Sequence, residues 1–162
     1  MIRVELKDDE ISAALERLSA ALTDMTPVME DIGELLTRST KERFVAGVDP
    51  KGNKWPGKSG TTLDIYQARG DRVDPRPLFG PSGRLSSEIA YTIGLDRKSV
   101  EIGSNQIYAA VMQFGAAKGS LGGGAPWGNI PARPFMGLSD RDQTNILETI
   151  DEWLERATNA AG

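Results

Sequence analysis

The 162-residue sequence contains no histidine and no cysteine. Without histidine the chain lacks the commonest general base and the commonest metal ligand, so a Ser-His-Asp or Cys-His site cannot form. Without cysteine there is no disulfide, no thiol nucleophile and no thiolate metal site. Carboxylate chemistry and oxygen-ligated cations remain, but no acidic loop has the spacing of a calcium-binding hand. We therefore expect a protein that is not an enzyme and has no cofactor or bound metal.

Long hydrophobic runs are also missing. A membrane-spanning helix needs roughly 20 predominantly apolar residues, and no stretch of this sequence approaches that length. The amino terminus, MIRVELKDDE, is charged and alternating, which is unlike a signal peptide. We expect a soluble protein, without membrane contact, that starts in a cytoplasm.

The net charge of −4 is distributed unevenly along the chain. Residues 1–49 carry a net charge of −5, residues 50–98 a net charge of +4, and residues 99–162 a net charge of −3. A basic middle between acidic ends could face phosphate or an acidic partner. The basic residues lack a helical or strand spacing that would gather them, so a solvated loop region is the favoured interpretation.

Hydrophobic spacing predicts long helices at both ends of the chain. One helix follows Asp8 and carries a stripe that packs in the core or on a copy of itself, with core packing favoured. A second helix should start at Thr26–Pro27, with Thr26 as its N-cap and Pro27 at its first position, and should end near Gly47. The last helix should start at Ser139, with Asp142 completing an approximate capping box. The first stripe consists of Ile11, Leu15, Leu18, Leu22 and Met25, and the last helix carries Ile146, Ile150, Trp153, Leu154 and Ala157 on one side.

Between these helices the sequence predicts short elements and long loops. A strand is expected at residues 2–6 and a hairpin with its turn at residues 96–99. TTLDIYQA indicates a short helix, whereas QIYAAVMQFG is compatible with helix or strand, its helical face being Ile107, Ala110, Val111 and Phe114. Residues 46–83 and 115–129 are rich in glycine and proline, and we expect them to form mobile loops within one domain of residues 1–162.

The stretch GNKWPGKS at residues 52–59 has the spacing of a phosphate-binding P-loop. A P-loop needs a buried strand before it, a helix after it and free backbone amides around the phosphate. Here a helix end precedes the stretch, Pro56 removes an amide and Gly60 weakens a following helix. We interpret the match as a chance one in a glycine- and lysine-rich loop.

Two tryptophans and the stretch IPARPFMGLS are the candidate interface residues. Trp55 and Trp127 lie in glycine-rich loops, where they either anchor a partner protein or fold back over the core. Pro131 and Pro134 should hold the backbone extended. Phe135 would then anchor in apolar surface of a partner or lie in the core, with the core favoured. Arg133 would pair with a carboxylate of the same or a neighbouring subunit, with an interface role favoured.

Five stretches in characteristic order carry a family resemblance: IGELLTRSTKERF, DPKGNKW, PSGRLSSEI, VEIGSNQIYAAVMQFG and IPARPFMGLSDRD. Together they resemble the virion morphogenesis, or tail completion, proteins of Mu-like and P2-like bacteriophages, over about residues 26–158. That resemblance implies a structural protein at the head-proximal end of a contractile tail, with a compact α+β fold and assembly into rings, commonly sixfold. The family often has histidine where this chain has Met112, so we expect a packing role there.

The sequence thus predicts an α+β fold, in which a small, mainly antiparallel sheet packs with long amino-terminal helices and a carboxy-terminal helix. The expected function is completion of the tail and head–tail joining in a phage or prophage virion, after assembly in the host bacterial cytoplasm. The expected partners are further copies of the chain, in a hexameric ring, together with the tail tube or terminator and the head-neck proteins. A neck or connector protein bound to the head is the alternative within the virion. A nucleic-acid-binding module that uses residues 51–98 is the alternative from another class, and it leaves DNA contact open.

Overall fold

The computed structural model describes residues 9–122 and 128–159 of the chain. The amino-terminal half of this structure is built on two helices, α1 (Asp9–Thr23) and α2 (Thr26–Ala46). Thr26 is the first residue of α2 and not its N-cap; its N–H donates to Oδ1 of Asp24 at 3.0 Å. The predicted end of α2 is confirmed, because Gly47 follows it with a φ of 71° and its N–H donates to the carbonyl of Arg43. The expected strand at residues 2–6 lies outside the described residues.

The predicted hairpin is confirmed and packs on α2. Strands β1 (Ile89–Ile93) and β2 (Val100–Ser104) pair antiparallel, with Ile89 opposite Ser104 and Ile93 opposite Val100. The hairpin lies so close to α2 that a Cβ on Gly33 would stand 2.4 Å from Cδ2 of Tyr91. A glycine on this face of α2 is therefore what lets the hairpin approach.

Three short helices interrupt the loops: α3 (Gly60–Ala68), α4 (Arg84–Ser87) and α5 (Ala109–Phe114). The short helix predicted for TTLDIYQA is α3, and Ser59 caps it by accepting from the N–H of Thr62. Of the two interpretations left open for QIYAAVMQFG, the helical one is confirmed by α5. Residues 130–139, between α5 and the last helix, contain no helix and no strand, as their prolines predict.

The last helix, α6 (Asp140–Asn159), begins with the predicted capping box. The N–H of Asp142 donates to Oγ of Ser139 at 3.1 Å, and the N–H of Ser139 donates to the Asp142 carboxylate at 2.9 Å. Trp153 is buried and Ile146, Ile150 and Leu154 pack beside it, so the predicted inner side of this helix is confirmed.

The apolar core consists of two clusters. The helical cluster is formed by α2 and α6, with the hairpin residues Ile93 and Val100 packed against it, and its buried members are Val28, Met29, Ile32 and Trp153. The loop cluster collects side chains from the end of α2, the loops, α4 and β1, namely Phe44, Trp55, Leu78, Leu85, Ile89 and Phe135. The predicted α+β fold is therefore observed, with its sheet reduced to one hairpin in the described residues.

Core packing of the first helical stripe is the expectation that the structure corrects. Helix α1 packs against α6, but none of its residues is buried. Leu18 and Met25 are half-buried, whereas Leu15 is 60% exposed and Leu22 is 42% exposed. The periodicity located the helix correctly, yet α1 turns part of its apolar stripe away from α6.

Candidate assembly interface

The five stretches that carry the family resemblance meet around one extended piece of backbone, the PARPF segment (residues 131–135). Phe135 is 1% exposed and lies at the centre of the loop cluster. The ring centroid of Phe44, from the first stretch, is 5.2 Å away from that of Phe135. Leu85, from the third stretch, belongs to the same cluster. Segments far apart in sequence thus share one packing site.

Trp55, from the second stretch, closes another side of this site. Its indole N–H donates to the carbonyl oxygen of Pro134 at 2.9 Å, and its ring meets that of Phe44 edge-on, with centroids 5.7 Å apart. Proline has no N–H, but its carbonyl still requires a partner when it is buried. The indole supplies that partner, which fixes the tryptophan against the backbone of the PARPF segment.

The QFG sequence at the end of α5 binds the other side of the segment. Oε1 of Gln113 accepts the backbone N–H groups of Phe135 and Met136, both at 2.9 Å, and Nε2 of Gln113 donates to the carbonyl of Met136 at 3.2 Å. The N–H of Arg133 donates to the carbonyl of Met112 at 2.8 Å. These bonds satisfy backbone groups that no sheet partner serves.

Gly115 allows the two backbones to come together. Its φ is 75°, and a Cβ at this position would lie 2.7 Å from the carbonyl oxygen of Ile130 and 2.8 Å from the nitrogen of Ala132. Directly after it, Ala116 and Ile130 exchange both backbone hydrogen bonds, at 2.9 and 2.8 Å. The loop between them is consequently closed at its base.

A buried ion pair ties the segment to both long helices. Arg43 of α2 donates through Nη1 to the carbonyls of Phe135 and Gly137, at 3.0 and 2.8 Å, and through Nη2 to the carboxylate of Asp142. Burial raises the pKa of Asp142, but hydrogen bonds from serine side chains and backbone, together with the charge of Arg43, outweigh it and lower the pKa. The carboxylate therefore stays ionised inside the protein.

Arg133 points the other way, towards the loop that follows Trp55. Its Nε and Nη2 donate to the carbonyls of Pro56 and Gly57, both at 2.7 Å. The side chain is 7% exposed, and burial lowers the pKa of its guanidinium. No carboxylate among the described residues forms an ion pair with it.

Comparison with known proteins shows the family to which the chain belongs. The profile of the phage virion morphogenesis family matches residues 6–155. The chain belongs to the phage virion morphogenesis family. A Mu-like prophage protein of Haemophilus influenzae, FluMu G protein 2, is 31% identical over 156 residues, which cover 96% of this chain and 97% of that protein. Protein G of Escherichia phage Mu, whose name suggests a role in capsid assembly, is 29% identical over 150 residues, 88% of this chain and 92% of the relative.

No solved structure matches the chain significantly. The family and both relatives indicate a structural protein of phage virion morphogenesis. The stretches that carry the resemblance supply five of the six buried residues of the loop cluster, all but Leu78. In the described part of the chain no helix is long and apolar enough to cross a membrane.

The structure shows where three of the four interface residues expected from the sequence lie. Trp55 is buried in the loop cluster, so of the two alternatives left open for it the structure shows that it folds back over the core. Phe135 lies in the core, as favoured. For Arg133 the expected carboxylate is not found among the described residues, and backbone carbonyls accept its hydrogen bonds instead. Trp127 lies outside the described residues. An interface role for Arg133 stays a prediction.

The packing role expected of Met112 in this member of the family is confirmed, because its half-buried side chain packs against the loop cluster. The P-loop interpretation is disfavoured by the geometry, since residues 56 and 57 present carbonyl oxygens to Arg133 and Ser59 caps a helix. Nζ of Lys58 donates to the carbonyls of Asp74 and Phe79, so it is engaged within the protein.

Sequence reasoning missed Arg43 and Gln113, the two side chains that hold the PARPF segment from opposite sides. Both occur within the stretches that carry the resemblance, but their roles depend on backbone groups 92 and 22 residues away. The one available signal was an arginine on the side of α2 that also carries buried apolar residues. A charge in such a position indicates a buried partner.

Two apolar surfaces remain outside both clusters. The α1 face consists of Leu15 and Leu22, on the helix that packs against α6. The α5 face consists of Ala110 and Phe114, on the helix that binds the PARPF segment, and of Ile107, which lies just before that helix; Ile107 is 97% exposed and Phe114 is 77% exposed. Side chains of this size at such exposure are typical of contact surfaces when they lie together.

Proposed function

We propose that the chain completes the head-proximal end of a phage tail and supports joining of the tail to the head, as a ring of identical subunits. Membership of the virion morphogenesis family supports a structural role at this level. The name of the phage Mu relative suggests capsid assembly. A protein at the junction of head and tail would be consistent with both descriptions, because this junction contacts the capsid as well as the tail.

The exposed apolar side chains of the α1 and α5 faces carry the ring proposal. They belong to different parts of the fold, since α1 packs against α6 whereas α5 packs against the loop cluster. A contact between two different faces of identical subunits is heterologous, and such contacts close into a ring when the rotation allows it. Burial of these faces between neighbours would remove apolar surface from water.

The solution mass of the purified chain, measured by native mass spectrometry over a concentration series, tests the ring. We expect a discrete closed assembly with cyclic symmetry, sixfold in the family that the sequence resembles. Phe114→Ser and Leu15→Ser should each lower the assembled fraction at least about tenfold, since each replaces an exposed apolar side chain that the proposed ring would bury. Leu95→Ser, at the fully exposed hairpin turn, is the matched control and should leave assembly unchanged. A monomer at every concentration would contradict self-assembly of the ring.

Lysates of an induced prophage that lacks this gene test the role in joining. We expect DNA-filled heads and free tails side by side, and restoration of joined particles when the wild-type protein is supplied. Joined particles in normal number without the gene would overturn the proposal.

A neck or connector protein bound to the head is the second candidate, and the name of the phage Mu relative is the observation that favours it. The two candidates differ in which unjoined particle carries the protein. Tails purified from a mutant that makes no heads should contain it if it completes the tail. Heads purified from a mutant that makes no tails should contain it if it belongs to the neck.

The nucleic-acid-binding alternative has less support. Several basic side chains of residues 51–98 are already bound to acceptors of the protein, either carbonyls or carboxylates, and these are Lys58, Arg76, Arg84 and Arg97. Salt-dependent binding to DNA would revive this alternative, because phosphate contacts release counterions.

A further inference from the structure

A cleft beside the PARPF segment has no counterpart in the function proposed so far. Helix α3, residues 77–85, the first turn of α5 and residues 128–133 line it, and its volume is about 770 Å³. That volume falls in the usual range of ligand-binding pockets, roughly 300–1,000 Å³. Arg133 lies in its wall.

The charged groups that line the cleft are all of one sign. Lys58, Arg84 and Arg133 contribute cations, and no aspartate or glutamate is among the described residues that line it. The nearby carboxylate of Asp74 is held by Arg76, with Nη2 of the arginine 2.6 Å from Oδ2. Glu88 is 3.8 Å from the guanidinium of Arg84, on the rim, and both side chains are largely exposed. The inner cations thus lack a carboxylate within the cleft.

Arg133 is the group with the strongest requirement for an anion. It is more than nine-tenths buried, and two backbone carbonyls accept from Nε and Nη2. Nη1 donates to no described residue. A buried guanidinium whose charge meets only neutral acceptors is costly to keep ionised, and a carboxylate would stabilise it through a charge-assisted hydrogen bond.

The neighbouring Lys58 adds to this positive field. Burial lowers the pKa of Lys58, Asp74 raises it in part, and the charges of Arg133 and Arg76 lower it further. Two cations that repel each other across a partly buried cleft favour an anionic occupant.

The walls of the cleft indicate what carries the anion. Apolar side chains and hydroxyl groups line it together, among them Leu85, Met112, Ile130, Pro131, Thr62 and Tyr108. Such a lining fits a polypeptide with apolar side chains and a few polar groups. A phosphate on a broad nucleic-acid backbone would meet the exposed Arg84 first, whereas the guanidinium of Arg133 requires a slender group that enters the cleft.

We propose that this cleft binds an extended acidic–apolar segment of a neighbouring virion protein, with a glutamate or aspartate carboxylate of that segment on Arg133. The segment docks its apolar side chains on the walls, while Lys58 and Arg84 add positive charge around its acidic group. The inference rests on the proposed structural role, since it names the chemistry of a partner in assembly. It does not require the ring, because the cleft is complete within one chain.

The test uses the purified full chain and a capped, fluorescein-labelled heptapeptide with one central glutamate between leucine and proline residues. The matched probe has glutamine in place of glutamate. By fluorescence anisotropy we expect the glutamate peptide to bind at least about tenfold more tightly, because a hydrogen bond to a charged group is worth about 1.5–3 kcal/mol. Equal binding of the two peptides, or binding of neither at about 1 mM, would overturn the proposal.

Variants and competitors locate the binding. Arg84→Gln, on the exposed rim, should weaken the glutamate peptide several-fold, whereas Arg141→Gln, on the exposed side of α6, should not change it. A short single-stranded DNA that displaces the peptide completely at equal concentration would overturn the choice of a polypeptide. Inorganic phosphate at the same concentration should displace little.

Because Arg133→Gln also removes hydrogen bonds to Pro56 and Gly57, it risks misfolding. The NMR signal of the Nε–H group of Arg133 in the wild-type protein avoids that ambiguity. It should shift on titration with the glutamate peptide and stay in place with the glutamine peptide. An unchanged signal with both would place the peptide elsewhere and overturn the inference. These measurements do not depend on head–tail joining, so the inference and the proposed function can fail separately.

Discussion

The two clusters of the core differ in how they are held. In the helical cluster, regularly spaced side chains of α2 and α6 face each other, and the backbone is satisfied within the helices. In the loop cluster, aromatic side chains gather around backbone that forms neither helix nor strand, and single side chains satisfy that backbone. The helical cluster can therefore tolerate small changes, whereas the loop cluster depends on individual residues.

The comparison also explains where the family resemblance is concentrated. A helix face accepts many apolar side chains of suitable volume. Extended backbone inside a protein has specific hydrogen-bond requirements, which Arg43, Gln113 and Trp55 meet here at fixed positions. Leu78, Leu85 and Met112 belong to the loop cluster or pack against it and also line the proposed cleft, and Ala109 and Met112 join α5 to the cluster, so this cluster positions both the cleft and the α5 face.

The largest loss of stability is expected when the aromatic side chain of Phe44 is removed from the loop cluster. Phe44 is fully buried and packs against the rings of Trp55, Phe79 and Phe135. Phe44→Ala should lower the free energy of unfolding by about 3–5 kcal/mol, through lost burial and a remaining cavity. Urea unfolding followed by circular dichroism measures this. Val45→Ala, at the exposed neighbouring position, is the control and should stay within about 0.5 kcal/mol.

The ion pair that joins the two clusters should come next. Asp142→Asn leaves the buried guanidinium of Arg43 without its counter-charge and should cost about 3 kcal/mol of unfolding free energy. Asp140→Asn, exposed in the same helical turn, should cost less than about 1 kcal/mol. The double substitution Arg43→Met with Asp142→Leu should be at least as destabilising as Asp142→Asn, because it also leaves the carbonyls of Phe135 and Gly137 without their donor and removes the acceptor of the Ser139 N–H. A smaller loss for the double variant would contradict the role of Arg43 in satisfying the extended backbone.

Close backbone approach is tested by two glycines that both have a positive φ. Gly115→Ala should cost about 2–3 kcal/mol, because the methyl group would overlap the backbone of residues 130–132. Gly119→Ala has a similar φ of 85° but open space around it, so only the conformational cost of about 1 kcal/mol applies. Thermal unfolding of both variants gives the difference. Equal losses would show that conformation alone requires glycine at position 115.

Removal of a single methyl group from the helical cluster should lower the free energy of unfolding by a smaller amount. Ile32→Val should cost about 0.5–1.5 kcal/mol, because the facing helices can partly close the gap. Hydrogen exchange at the amides of Phe135 and Met136, which donate to Gln113, should change by no more than this global loss. Selective loss of protection at these amides would contradict the separation of the two clusters. Ile65→Val, at an exposed position, should be nearly neutral.

The smallest effect concerns acid sensitivity at the edge of the loop cluster. Hydrogen bonds from the Arg76 side chain hold the pKa of Asp74 at about 2, below its ordinary value of 3.8. A lowered pKa in the folded state means that the pair stabilises the protein above about pH 4 and that this contribution disappears as the pH falls towards 2. Unfolding measured at a series of pH values should show a shallower decline for Arg76→Gln than for the wild type over this interval. The same slope in both would assign the acid sensitivity to other carboxylates.

Much of the fold could be predicted because its signals are local. The stripe on α6, the capping box of Ser139 and Asp142, and the glycine after α2 each act within a few residues. The same logic located α1 but assigned its stripe to the core, since periodicity identifies an apolar face without saying what covers it. Trp55 shows the same limit, because a glycine-rich neighbourhood indicates a loop and not the exposure of the residues within it.

The sequence by itself determined α1, α2, α3 and α6, the hairpin, the extended PARPF segment and the absence of histidine and cysteine chemistry, because backbone preferences and residue types are properties of short stretches. Only the tertiary structure decided which backbone groups Arg43, Gln113 and Trp55 bind, because their partners are 22 to 92 residues away along the chain. It also placed Arg133 in the wall of a cleft whose charged lining residues, within the described part of the chain, are all cations. Chain folding brings these side chains to their backbone partners, and the distance between two groups far apart in sequence cannot be read from local spacing or composition.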